Sequence, residues 1–164
     1  MQRTRMMAMV ALAVAAACTS PAPPDAAELT AAQRAAIADT IRREADRVIT
    51  ALASRQVDSL ADLFTKDADF VYVDNGRIYP DNAALKAAAT PFFGRIGKAG
   101  GRWEPANVLV LGRNAGAFTG VFRAEMVDTA GKALWTDGKI WTFVYERRSG
   151  RWQIVQAHEV NAKP

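Results

Sequence analysis

Trp141-Thr142-Phe143-Val144-Tyr145-Glu146-Arg147, a turn at Arg148-Ser149-Gly150, and then Arg151-Trp152-Gln153-Ile154-Val155-Gln156-Ala157-His158 decide the fold of this 164-residue chain. Both runs are dense in aromatic and β-branched residues, and the join between them leaves room only for a tight reversal. They read as an antiparallel hairpin. Working outward, four long strands are expected: Glu104 to Leu111, Ala117 to Val127, Ala133 to Tyr145 and Trp152 to Val160. Gly112-Arg113-Asn114 and Asp128-Thr129-Ala130-Gly131 join the earlier ones, with Asp128 and Asp137 as turn residues. Short joins between long strands make a meander.

Upstream the periodicity changes. Ile37, Ile41, Ala45, Val48 and Leu52 recur at helical steps, so Glu28 to Ala53 is expected as one amphipathic helix. Thr30 and Gln33 have the spacing of a capping box. A second helix is expected from Val57 to Phe64. Phe70-Val71-Tyr72-Val73 then reads as a strand ending at Asp74-Asn75-Gly76, a hairpin turn signal. Asp81 or Asn82 caps a third helix through Ala83, Leu85 and Ala89, which Pro91 ends or kinks. Helices first and a strand meander after is an α+β layout, with the helices on one face of the sheet.

This order resembles the nuclear transport factor 2-like superfamily, and within it the SnoaL-like proteins and the related domain of unknown function 4440. Three segments carry the resemblance: Ser54 to Leu60 with Phe64-Thr65-Lys66-Asp67-Ala68-Asp69-Phe70, then Val108-Leu109-Val110-Leu111-Gly112, and the hairpin quoted above. Val57-Asp58 stands where relatives carry Gly-Asp. The resemblance implies a cone: three N-terminal helices on a curved, mostly antiparallel sheet around an apolar interior. It also implies pairing of two copies through the outer face of the sheet. Apolar residues on both strand faces, as in Val121/Phe122 and Phe143/Val144, agree with a homodimer.

The N-terminus is organised differently. Arg3 and Arg5 precede the uncharged run Met6 to Ala17, which has the length of a signal-peptide core. Cys18, the one cysteine, follows directly, and this resembles a bacterial lipoprotein signal in which that cysteine is lipidated. An ordinary signal cleaved at Ala15-x-Ala17 is the alternative. The expected organisation is a signal peptide at 1–17, a lipidated Cys18 and proline-rich tether at 18–27, and a domain at 28–164. Export to the cell envelope follows, with Thr19-Ser20 favouring the outer membrane facing the periplasm. Without Arg3 and Arg5, the chain keeps 19 basic and 17 acidic residues, too even a balance for a nucleic-acid partner. Arg147, Arg148 and Arg151 read as a solvated hairpin end.

For chemistry the superfamily's best-known reaction, ketosteroid isomerisation, provides a test. It uses a carboxylate base and an oxyanion hole made of a tyrosine and a protonated aspartic acid. The resemblance places that tyrosine in the first helix, where Val48 stands, and Glu28 to Ala53 contains none. Lys139 to Tyr145, where the aspartate belongs, carries no carboxylate. Isomerase chemistry of that kind is therefore excluded.

His158 is the single histidine, and Gln156 stands where relatives carry another. Strict alternation along the last strand puts Trp152, Ile154, Gln156 and His158 on one face, and Val155, Ala157 and Glu159 on the other. Pocket residues are thus expected at Tyr72, Asp74, Trp141, Gln156 and His158, with Asp74 also read as a turn-initiating residue. No residues have metal-ligand spacing, and no cofactor is expected. Two readings stand: a small-molecule-binding domain with an apolar cone pocket, or an acid–base enzyme of isomerase, dehydratase or hydrolase type on a small hydrophobic substrate, using His158 with Asp74 or Tyr72. An envelope assembly module is a third.

Overall fold

A computed structural model describes residues 28–135 and 138–162. The signal peptide, Cys18, the tether and Asp137 lie outside the described residues.

Helix α1 (Ala31–Ser54) starts where the capping box is expected. The Gln33 amide donates to the Thr30 hydroxyl at 3.2 Å, and the Thr30 amide donates to Gln33 Oε1 at 3.0 Å. Its stripe Ile41, Ala45, Val48, Ala51 and Leu52 is buried. The helix ends at Arg55, which takes a left-handed conformation. Helix α2 (Val57–Ala61) is shorter than the sequence suggests. The segment after it is drawn to the sheet instead: the Ile154 amide donates to Leu63 O at 3.0 Å, and the Thr65 amide donates to Ile154 O at 2.9 Å. Two ladder bonds to a buried strand outcompete one more helical turn.

Strands β1 (Val71–Asp74) and β2 (Arg77–Tyr79) form the expected hairpin, with Asn75 and Gly76 both at positive φ in the turn. Helix α3 (Asn82–Phe93) follows, capped by the Asp81 carboxylate, which accepts from the Ala84 amide at 2.7 Å. Pro91 lies inside α3 and the helix continues to Phe93. A proline in the last turn removes only one backbone bond from a helix about to stop.

Then come β3 (Ile96–Lys98), β4 (Gly101–Val110), β5 (Ala115–Ala124), β6 (Val127–Asp128), β7 (Lys139–Arg148) and β8 (Arg151–Asn161). The main sheet runs β2-β1-β8-β7-β5-β4, and β3 pairs with β6 in a small second sheet. Among the described strands, the β1–β8 pairing is parallel and the others are antiparallel. Of the strand expected from Ala133, β7 covers Lys139 onward, and Ala133 belongs elsewhere. Val127 bridges to Ala133, so the chain there serves the small sheet before it enters the large one.

The helices cover the concave face. Phe118, Phe122, Trp141, Phe143 and Tyr145 point into it and are almost wholly buried against the α1 stripe. Gly116 faces Ile41, and a Cβ there would collide with the isoleucine's terminal carbon. Arg148 pins the connection between α2 and β1 to the end of the sheet. Its guanidinium reaches Asp67 at 2.7 Å, both oxygens of Asp69 at 2.6 and 3.0 Å, and Glu146 at 2.7 Å. These carboxylates raise its proton affinity further. Arg148 is thus a clamp, whereas Arg147 and Arg151 are exposed at the hairpin end as expected.

One irregularity determines the site. Between β7 and β8, Val144 faces Gln156 while Tyr145 faces Ile154, which leaves Val155 as an extra residue. This bulge reverses the alternation beyond it. Ile154 is inward, and after the bulge Ala157 and Glu159 are inward while Gln156 and His158 are exposed on the outer face. The expectation that Gln156 and His158 line the interior is therefore corrected.

Candidate functional site

The open end of the cone holds a cavity of about 220 Å³. Strand β1 supplies Tyr72 and Asp74, β7 supplies Lys139 and Trp141, β8 supplies Glu159, and α3 closes it with apolar side chains including Phe92. Register explains the grouping. Glu159 is directly opposite Trp141 on one side and Asp74 on the other, and Lys139 precedes Trp141 by two residues on the same face.

Glu159 is the centre of the polar wall. It is 5 % exposed, and with Thr65 it makes up the buried polar or charged side chains among the described residues. Its Oε1 is 2.9 Å from Lys139 Nζ. The Tyr72 hydroxyl donates to its Oε2. Burial raises the carboxyl's pKa, opposed first by the Lys139 charge and then by the Tyr72 hydrogen bond. Tyr72 is pushed well above its ordinary value by burial and by the neighbouring Glu159 charge. It stays a neutral donor at any physiological pH. Asp74 lines the cavity, and its carboxylate accepts from Asn75 Nδ2 at 2.6 Å.

Aromatic rings border these polar groups. Lys139 Nζ lies 5.3 Å from the centre of the Trp135 ring. Phe92 stacks on Trp135 with centroids 5.1 Å apart. Trp141 is 3 % exposed and wedged against Trp103, Phe122 and Phe143. Its indole N–H is buried without a hydrogen-bond partner. The Trp141 side chain lines the cavity. Among the described residues, no group of three His, Cys, Asp or Glu side chains is placed to hold a metal ion.

Of the sequence candidates, Tyr72, Asp74 and Trp141 meet in the cavity, whereas Gln156 and His158 are on the far side of the sheet. His158 cannot pair with Tyr72 or Asp74. Lys139 and Glu159 were missed. Lys139 alternates with Trp141, Phe143 and Tyr145, which was the available signal for an inward lysine. Glu159 had none, because the bulge that turns it inward leaves no mark in the hydrophobic pattern.

The family model of the SnoaL-like domain matches residues 41–159, which span all of these positions. The chain belongs to the SnoaL-like domain family. Solved structures show the same nuclear transport factor 2-like cone. A nuclear transport factor 2-like protein of unknown function from Pseudomonas putida KT2440 superposes with a TM-score of 0.65 at 18 % identity, over 79 % of this chain and 89 % of that one. A nuclear transport factor 2-like superfamily protein from Salmonella enterica gives 0.68 at 13 % identity, over 79 % and 94 %. A protein provisionally named a dehydratase of the same superfamily, from Streptomyces avermitilis, gives 0.68 at 13 % identity, over 79 % and 99 %. No curated protein matches this chain. At these identities the SnoaL-like chain shares the fold of its neighbours, and its site must be read from its own residues.

Proposed function

We propose that this SnoaL-like protein binds a small, largely apolar, ring-bearing molecule in the cone. The carrying observation is the cavity itself, lined by the aromatic rings of Trp135, Trp141 and Phe92 beside the polar groups of Tyr72, Lys139 and Glu159. Such a mixed lining orients a ligand with one polar end. Benzyl alcohol, followed by ligand-detected NMR, is a suitable probe. Ala89→Trp, on the α3 wall, fills the cavity and should abolish the signal, while His158→Ala should leave it unchanged. The reading fails if Ala89→Trp binds as well as the wild type. The acid–base alternative has lost His158 and would rest on Glu159.

We further propose that the protein is an exported lipoprotein, on the strength of Arg3, Arg5, the apolar run and Cys18. The outer membrane, facing the periplasm, is the destination that Thr19-Ser20 favours. Cys18→Ser should move the protein from the membrane to the soluble fraction; membrane association at unchanged mass would disprove the anchor. The outer face of the sheet supports the proposed homodimer. Ile140, Thr142, Val144, His158 and Val160 lie there with no Asp, Glu, Lys or Arg among them, and Leu109 beside them is 57 % exposed. Sedimentation at high micromolar concentration should show a dimer, and a strictly monomeric species would refute it.

A further inference from the structure

We infer that Lys139 is a covalent site, forming an imine with a small aromatic or apolar aldehyde or ketone held in the cavity, with Glu159 carrying the protons. The inference rests on the proposed pocket and adds a chemical class to its ligand.

The argument begins with placement. Lys66 and Lys86 pair with carboxylates on the surface, and their side chains are 72 % and 46 % exposed. Lys139 is 12 % exposed, with its ammonium between the Trp135 ring and a buried carboxylate. An amine reacts with a carbonyl only when neutral, and a solvated lysine at neutral pH is almost wholly charged. At Lys139 a proton acceptor lies within reach, the buried Glu159 carboxylate. Moving one proton over 2.9 Å from Nζ to Glu159 Oε1 turns a buried ion pair into a buried neutral pair. A ligand that expels water from the cavity favours this transfer, because both charges lose hydration. Burial already pushes Glu159 toward its protonated form, and Tyr72 fixes the other carboxylate oxygen.

The steps balance. The ammonium gives one proton to Glu159, and the freed amine pair attacks the carbonyl carbon. The C–N bond forms as the C=O π pair moves onto oxygen, which takes a second proton from the nitrogen. The product is a neutral carbinolamine beside protonated Glu159. Glu159 then returns its proton to the hydroxyl, the C–O bond breaks, and water leaves. What remains is a protonated imine on Lys139 beside the Glu159 carboxylate, the same net charge as at the start. No oxidant or metal enters.

The test uses the full chain with benzaldehyde and sodium cyanoborohydride, whose hydride reduces an imine to a stable secondary amine. Peptide mapping should find the benzyl group on Lys139 about tenfold ahead of Lys66 and Lys86. Lys139→Arg should leave only the slow surface labelling, and Glu159→Gln should slow labelling at Lys139. Benzyl alcohol, which has no carbonyl, separates the two readings. If it binds but Lys139 is labelled no faster than the surface lysines, the imine is wrong and the pocket stands. If it does not bind and Lys139 is not preferred, the pocket reading falls and the imine with it. Preferential labelling that survives Ala89→Trp would also overturn the inference, since it would not pass through the cavity.

Discussion

Lys139→Met should destabilise the protein by about 3–5 kcal/mol at pH 8, roughly 10–15 °C in melting temperature, and by much less at pH 4. The variant leaves the buried Glu159 carboxylate without its cation, with Tyr72 still donating and the Asp74 charge opposing. In the wild type Glu159 already titrates above its ordinary value because burial outweighs Lys139 and Tyr72. Removing Lys139 raises that pKa further. A carboxyl whose folded pKa is raised stabilises the fold fully below its unfolded pKa and loses that contribution as pH rises through the folded one. The loss in the variant must therefore grow from about pH 4 upward. Urea unfolding at several pH values measures it directly. A loss of equal size at all pH values would show that Lys139 acts through packing and not through Glu159. The double variant Lys139→Met/Glu159→Gln should recover most of the stability at pH 8, since an amide can keep the Tyr72 hydrogen bond without a buried charge.

The sequence made the fold legible because two levels of pattern agreed. The helical stripe of α1, its capping box, and the turn at Asn75-Gly76 are each fixed by local chemistry, and they appear where expected. The meander was legible in outline, since Gly112–Asn114 and Arg148–Gly150 each permit one reversal. What was illegible depended on long-range competition. Helix α2 stops early because Ile154 offers ladder bonds to Leu63 and Thr65, a partner some ninety residues away. Ala133, expected in the long strand, bridges to Val127 instead. Both outcomes depend on which distant backbone groups arrive at the same place.

The site was half legible for a related reason. Tyr72, Asp74 and Trp141 lie on stretches where alternation is unbroken. Glu159 lies beyond the bulge at Val155, where one extra residue exchanges the two faces of the strand. Ile154 and Val155 are both buried, and two consecutive apolar residues fit a regular buried strand as readily as a bulged one. The consequence for function is large. Without the bulge the cone would present an amide and an imidazole; with it, the cone presents a carboxylate that meets Lys139 and Tyr72.

Phe143→Ala should cost about 3–5 kcal/mol in denaturant unfolding and weaken pocket binding as well, although Phe143 is not among the cavity-lining residues. The ring is fully buried and contacts four others, with centroids 5.9 Å from Trp103, 6.0 Å from Phe118, 5.2 Å from Trp141 and 6.0 Å from Tyr145. On the sheet its neighbours across β5 and β8 are Phe118 and Ala157. Ala157 is too small to fill the space left by a lost phenyl ring, and Phe118 is held edge-on by Trp103, with centroids 5.1 Å apart. The void should therefore persist, and the cost of such substitutions grows with the volume that fails to collapse. Trp141 touches both this void and the ligand cavity, so it gains room to tilt away from the ligand. The charge pair of Lys139 and Glu159 is anchored on separate β7 and β8 positions and should survive. Two measurements then separate packing from chemistry. Phe143→Ala should show a loss of stability that changes little with pH, together with weaker benzyl alcohol binding, whereas Lys139→Met should show a strongly pH-dependent loss. If Phe143→Ala unfolds within about 1 kcal/mol of the wild type, the aromatic cluster is not the core of the cone, and Trp141 must be held against the cavity by something other than the rings behind it.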